Sequence, residues 1–190
     1  ATLVPEDQMG TDFILRECNW LQAVEGELDT SHLGVLHFGS VGREAFHKDE
    51  QNKFVVADRA PQYIAEETRS GYMYGAYRPG DEGKTYWRIG QFMFPFWALP
   101  PIYPIERNIL ARIYVPLDDS HTMLIAMVKN DADTRDRGDI AKRVPGATLI
   151  HDYVPHTTDW LGRWRLRQNG RNDYEIDRGV QRSQSFSGID

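Results

Sequence analysis

The densest set of groups able to do chemistry lies in Glu25-Gly26-Glu27-Leu28-Asp29-Thr30-Ser31-His32-Leu33-Gly34-Val35-Leu36-His37, where Asp29 precedes His32 by three residues and His37 by eight. Neutral imidazole is a good ligand for ferrous iron. Two histidines and a carboxylate on one octahedral face leave positions open for dioxygen and a substrate. Positions five apart on a straight α-helix, at about 100° per residue, point roughly 140° away from each other, so His32 and His37 could not share an ion there. A helix that breaks between them would allow it, and Gly34 stands where that break is needed. Neither Glu25 nor Asp29 stands in the His-Glu-x-x-His register of a zinc hydrolase.

Asp29 lies one helical turn before His32, close enough to hydrogen-bond an imidazole and fix its tautomer, as carboxylates behind metal ligands do. Glu25, a further turn back, would be a second buried acid, and burying carboxylates without partners is costly enough to suggest a function. A pair of histidines near a helix end is, however, more often a capping or core pair than a metal site. On spacing alone both readings stand. His47, His121, His151 and His156 lie in loops or beside turns and read as surface or capping residues.

The elements that must position this run can be traced from periodicity. Ile14, Cys18, Leu21, Glu25, Asp29 and His32 recur at helical spacing, which predicts one helix capped by Thr11 or Asp12 and stopped at Gly34. Residues 41–59 are polar and unperiodic and read as a long surface excursion. Residues 62–68 and 72–78 flank Arg69-Ser70-Gly71, a hairpin signal. A third strand, 86–94, follows Pro79-Gly80-Asp81-Glu82-Gly83 and stops at Pro95. Residues 107–115 and 122–129 are strands joined by Pro116-Leu117-Asp118-Asp119-Ser120. The five predict an antiparallel meander. In the fourth, Ile109, Ala111, Ile113 and Val115 should face the core, with Asn108 and Arg112 on the other side. Residues 130–146 read as a solvated loop, and 160–190 carry no assignable pattern.

The bulk composition narrows the function. With 190 residues and 41% hydrophobic side chains, one core is expected and a single domain over 1–190. A net charge of −6 with scattered arginines gives no reason to expect nucleic acid. No run approaches the roughly 20 apolar residues of a membrane helix, and Ala1 to Met9 lacks a signal-peptide pattern, so a soluble cytoplasmic protein is expected. The single cysteine, Cys18, excludes a Cys-ligated iron-sulfur cluster within this chain.

Cys18-Asn19-Trp20-Leu21-Gln22 with the 25–37 run resembles the iron-binding motif of Rieske non-heme iron aromatic-ring-hydroxylating oxygenase alpha subunits, in the phthalate dioxygenase and vanillate O-demethylase branch. The resemblance continues in order through Trp87-Arg88-Ile89 to Phe94-Pro95-Phe96, then Val115-Pro116-Leu117-Asp118-Asp119-Ser120-His121-Thr122. It extends to Asn172-Asp173-Tyr174-Glu175-Ile176-Asp177-Arg178 and Val180-Gln181-Arg182. Four ordered matches are far more specific than two histidines.

The resemblance implies an α+β, helix-grip fold (the Bet v1 and START type), an antiparallel sheet around a helix. It places the metal ligands for Fe(II) at His32 and His37, the aspartate bridging to a neighbouring subunit's Rieske cluster at Asp29, and the acidic or amide position before it at Glu25. It further implies an aromatic substrate, dioxygen, electrons from a Rieske 2Fe-2S domain and a reductase, and a homotrimer. Two departures are expected to matter: no Rieske domain precedes the motif in this chain, and the third ligand, an aspartate, falls just beyond Asp190. A fragment that binds iron weakly by itself is therefore expected. Phe92, Phe94, Phe96 and Trp97 are candidates to line a pocket or to form a plain aromatic core. Arg88 and Arg112 could clamp a substrate carboxylate or form surface salt bridges. An aromatic-acid oxygenase, hydroxylating or O-demethylating, is the leading reading. A metal-free helix-grip module binding a hydrophobic small molecule is the alternative.

Overall fold

The computed structural model describes residues 5, 9–37, 52–101, 110–129, 152–155, 159, 161–184 and 188. Strand β1 (Met9–Arg16) is followed by helix α1 (Trp20–Leu28), a π-helix (Leu33–His37) and helix α2 (Lys53–Ala57). Then come β2 (Gln62–Thr68), β3 (Gly71–Pro79), β4 (Thr85–Met93), β5 (Trp97–Leu99), β6 (Leu110–Pro116) and β7 (Thr122–Lys129). Helix α3 (Arg178–Ser183) comes last. The strands form one antiparallel sheet in the order β1-β7-β6-β5-β4-β3-β2. The architecture is α+β, with the strand order of a helix-grip sheet. The expected meander is present, with the short β5 inserted between its third and fourth strands. None of the described helices is long and apolar enough to cross a membrane.

The long helix expected to start near Asp12 is two elements. Residues 9–16 form a strand, and α1 begins only after Asn19, whose side-chain oxygen accepts the Leu21 N–H at 2.9 Å. Ile14 and Leu15 are both buried although adjacent, because successive strand residues enter opposite faces of a sheet covered on both sides. The spacing from Ile14 to Glu25 matched a helical stripe by coincidence. Within α1 the packed residues are Trp20, Ala23, Val24 and Leu28, a true helical face. They lie on Ile14, Ala98, Tyr114 and Leu124, of which Ile14, Leu124 and Tyr114 form one rung across β1, β7 and β6.

Tyr114 shares its face with Arg112, two residues before it, so the face of β6 that meets α1 is the one the sequence assigned to solvent. Arg112 can stand there because α1 brings Glu27 against it. Ala111, Ile113 and Val115 lie on the opposite face, where Leu15 and Met123 are buried and Trp164 packs on Phe13 with ring centroids 4.9 Å apart. The excursion over 41–59 contains α2, which packs on β3 through the fully buried Val55, and Phe54 stacks on Tyr86. Asn108, Ile109, His47, His151, His156, Asp190 and the loop 130–146 lie outside the described residues.

Candidate functional site

Helix α1 ends at Leu28, and the Asp29 N–H donates to the Glu25 carbonyl at 3.1 Å. The Asp29 side chain then organises the next turn. Its Oδ1 accepts the Ser31 N–H at 2.7 Å and the Tyr63 hydroxyl at 3.0 Å. Its Oδ2 accepts the His32 N–H at 2.9 Å and lies 3.4 Å from His32 Nδ1. An aspartate taking backbone N–H groups two and three residues ahead is a helix cap, and a helical turn does begin at His32. The same carboxylate thus starts the turn and faces its first imidazole. Burial pushes the Asp29 carboxyl up, but the Ser31 and His32 N–H groups and the Tyr63 hydroxyl outweigh it and hold it below its usual value.

The turn after His32 is a π-helix that ends on His37. Its i→i+5 bonding winds more slowly than an α-helix, so positions about five apart come round to a similar side. The backbone leading to His37 is thus a π turn where a break was expected. Gly34 sits inside that turn with ordinary backbone angles. A Cβ there would come within 2.8 Å of the Val55 carbonyl oxygen, so glycine permits α2 to lie close. The side chain of His37 lies outside the described residues. Among the described residues no three His, Cys, Asp or Glu side chains are grouped to hold a metal ion.

Glu25, expected to be buried, is exposed on α1. The acid that turns inward is Glu27, 8% exposed, whose Oε2 accepts the Arg112 guanidinium and the Tyr114 hydroxyl, the latter at 2.6 Å. Burial pushes the Tyr114 phenol up, and the Glu27 charge adds to that. Burial works to lower the Arg112 guanidinium, and Glu27 more than restores it. A helical wheel started at Trp20 would have found Glu27, which falls on the stripe of Val24 and Leu28. The wheel started at Ile14 did not.

The same inner face continues across β3 and β4. Tyr63, Ala76 and Arg88 form one rung and Arg78 pairs with Tyr86 beside it. Arg78 is 2% exposed and Arg88 7%. Arg88 donates to the Pro101 carbonyl and, at 3.4 Å, to the Tyr86 hydroxyl, while its Nε is unbonded. All three guanidinium nitrogens of Arg78 lack a hydrogen-bond partner among the described residues. Burial lowers the Arg78 guanidinium and the Arg88 charge lowers it further. Asp58, whose field opposes this, uses an oxygen on the Ala60 N–H at 3.0 Å. The sequence singled out Arg88 but missed Arg78, since a strand arginine beside a proline looks like an edge residue. Of the aromatic candidates, Phe92 packs against the core and Phe96 meets Trp20 edge to face, whereas Phe94 is 62% exposed.

The model of one protein family, described as LigXa C-terminal domain like, matches residues 2–190. The 3-chlorobenzoate-3,4-dioxygenase oxygenase subunit of Comamonas testosteroni is 41% identical over 98% of this chain and 44% of its own length. The phthalate 4,5-dioxygenase oxygenase subunit of Pseudomonas putida is 29% identical over 90% of this chain and 39% of its own. The chain thus spans less than half the length of the curated relatives it matches. Among solved structures, the quaternary ammonium Rieske monooxygenase CntA aligns at TM-score 0.43 and 14% identity over 71% of this chain and 34% of its own. The terminal oxygenase of carbazole 1,9a-dioxygenase from Novosphingobium sp. KA1 aligns at 0.40 and 13% identity over 97% and 56%.

Proposed function

The chain belongs to the LigXa C-terminal domain-like family, and on that premise we propose that it forms part of the catalytic domain of a Rieske-type oxygenase that hydroxylates or O-demethylates an aromatic acid. The observation that carries this reading is the Asp29 carboxylate set against His32 Nδ1 at 3.4 Å, at the start of a π turn that ends on His37. With Nδ1 turned to Asp29, Nε2 is the nitrogen of His32 that would coordinate. The donor chemistry fits ferrous iron, with His32 and His37 as ligands and a carboxylate completing the face. Bound iron would supply the activation of dioxygen.

The protein's own residues have separable tasks. Asp29 orients the His32 ring and stands where electrons would enter from a Rieske 2Fe-2S cluster on a neighbouring subunit of a trimer, fed by a reductase. Glu25, exposed on α1, would act at that same surface. Glu27 and Arg112 hold α1 on the sheet. Arg78, with Arg88 beside it, would take the substrate carboxylate, because a buried guanidinium with no hydrogen-bond partner among the described residues is stabilised by an anion that accepts from it. Arg112, already paired with Glu27, is not needed for that role. The named relatives act on 3-chlorobenzoate and phthalate, both aromatic carboxylates.

Metal analysis of the complete oxygenase, with and without His32→Ala, tests the assignment. Iron that depends on His32 supports it. A folded protein with no affinity for iron would favour the metal-free module binding a hydrophobic molecule.

A further inference from the structure

The hydroxyl of Tyr63 is the convergence point of the turn that carries Asp29 and His32. It donates to Asp29 Oδ1 at 3.0 Å and accepts the Thr30 N–H at 3.1 Å. The Ser31 Oγ and Thr30 Oγ1 stand 3.1 and 3.2 Å from it. A hydroxyl has one proton to give and two lone pairs, so these four neighbours saturate it, with Ser31 and Thr30 sharing the second lone pair. Tyr63 comes from β2, an edge strand of the sheet, on the rung that holds Arg88. It therefore ties the inner face of the sheet to the end of α1.

We propose that Tyr63 is a positioning residue for the Asp29–His32 pair, fixing which carboxylate oxygen faces the imidazole. This rests on the reading of His32 as an iron ligand. Oδ1 is held by two donors, Ser31 N–H and Tyr63 O–H, and Oδ2 by His32. Without the phenol, Oδ1 loses its Tyr63 donor and the carboxylate is held about its Cβ–Cγ bond by the Ser31 and His32 N–H groups of its own turn, with no tie to the sheet. The hydrogen bond that orients His32 then becomes one of several arrangements. Nothing in the sequence marks Tyr63, which sits 34 residues from Asp29 in a strand whose residues are otherwise unremarkable and exposed.

The test uses the complete oxygenase carrying Tyr63→Phe. The Thr30 amide should exchange with solvent at least about tenfold faster, while the Asp29 amide, bonded to the Glu25 carbonyl, should not change. Iron content should be retained, and the ligand-field bands of the ferrous ion in magnetic circular dichroism should shift. Asp29→Asn should shift the bands too, and the double variant should add nothing further. Difluorotyrosine at position 63, which keeps the shape and strengthens the donor, should move the bands the other way, and it serves as the variant if Tyr63→Phe fails to fold. Bands that superimpose on those of the unmodified enzyme in these variants would overturn the proposal. Iron kept in full by His32→Ala would instead overturn the assignment of the site beneath it.

Discussion

The Glu27 carboxylate, on α1, receives the guanidinium of Arg112, on β6, inside the face where helix and sheet meet, and the Tyr114 hydroxyl shares the same oxygen. Breaking one partner leaves the other charge buried without compensation, which costs about 3–5 kcal/mol. Glu27→Ala should therefore lower the urea midpoint more than any exposed acid of α1, and Glu25→Ala should be nearly silent. Replacing both partners by Leu and Met should recover much of the loss. A Glu27→Ala protein as stable as the unmodified one would show that α1 is held by its apolar stripe alone.

Two glycines of neighbouring elements should behave oppositely. At Gly26, in the body of α1, a Cβ meets nothing within 4 Å, so Gly26→Ala should add about 0.5–1 kcal/mol through helix propensity. At Gly34 a Cβ would meet the Val55 carbonyl oxygen at 2.8 Å, and Gly34→Ala should lower stability as α2 is pushed away. Thermal unfolding of the two variants, measured side by side, reads both signs.

Arg78 keeps a charge buried without hydrogen-bond partners among the described residues, which costs stability. Arg78→Met should raise thermal stability, by on the order of 1 kcal/mol, and weaken binding of an aromatic carboxylate while sparing an uncharged analogue of the same ring. Calorimetric titration with benzoate and benzamide separates the two effects. Equal loss for both ligands would remove Arg78 from carboxylate recognition.

In the turn between β6 and β7, Asp118 accepts the Ser120 N–H at 2.7 Å, with His121 Nδ1 at 3.0 Å and the Ser120 hydroxyl at 2.9 Å. These hydrogen bonds to the ionised form bring its carboxyl down to about 2 from the usual 3.8. A folded-state value below the unfolded one means the turn's stabilisation is present above pH 3.8 and is lost as pH falls through 2. Carboxyl-carbon NMR should show Asp118 titrating below the other exposed aspartates, and Ser120→Ala should move it back toward 3.8.

The strands from β2 onward were legible because turn chemistry marks them: Arg69-Ser70-Gly71, Pro79 to Gly83 and Pro116 to Ser120 each punctuate an apolar run. β5 was not, since three residues after Pro95 carry no period. β1 was misread because Ile14 and Leu15 bury on opposite faces, a pattern that mimics a helical stripe when only one of them is counted. Asp29 and His32 were found as a pair from spacing, and their contact is there. Tyr63 and Arg78 owe their roles to strand pairings that local sequence does not encode, whereas Glu27 is legible only once the helix is started at Trp20.

Under the proposed function, His32 and His37 are ligands to one ferrous ion. Iron analysis of the full-length protein, expressed unmodified and as His32→Ala and His37→Ala, decides this. About one mononuclear iron is expected in the unmodified protein, with its loss in each variant. Full mononuclear iron in either variant, with the fold intact, would contradict it.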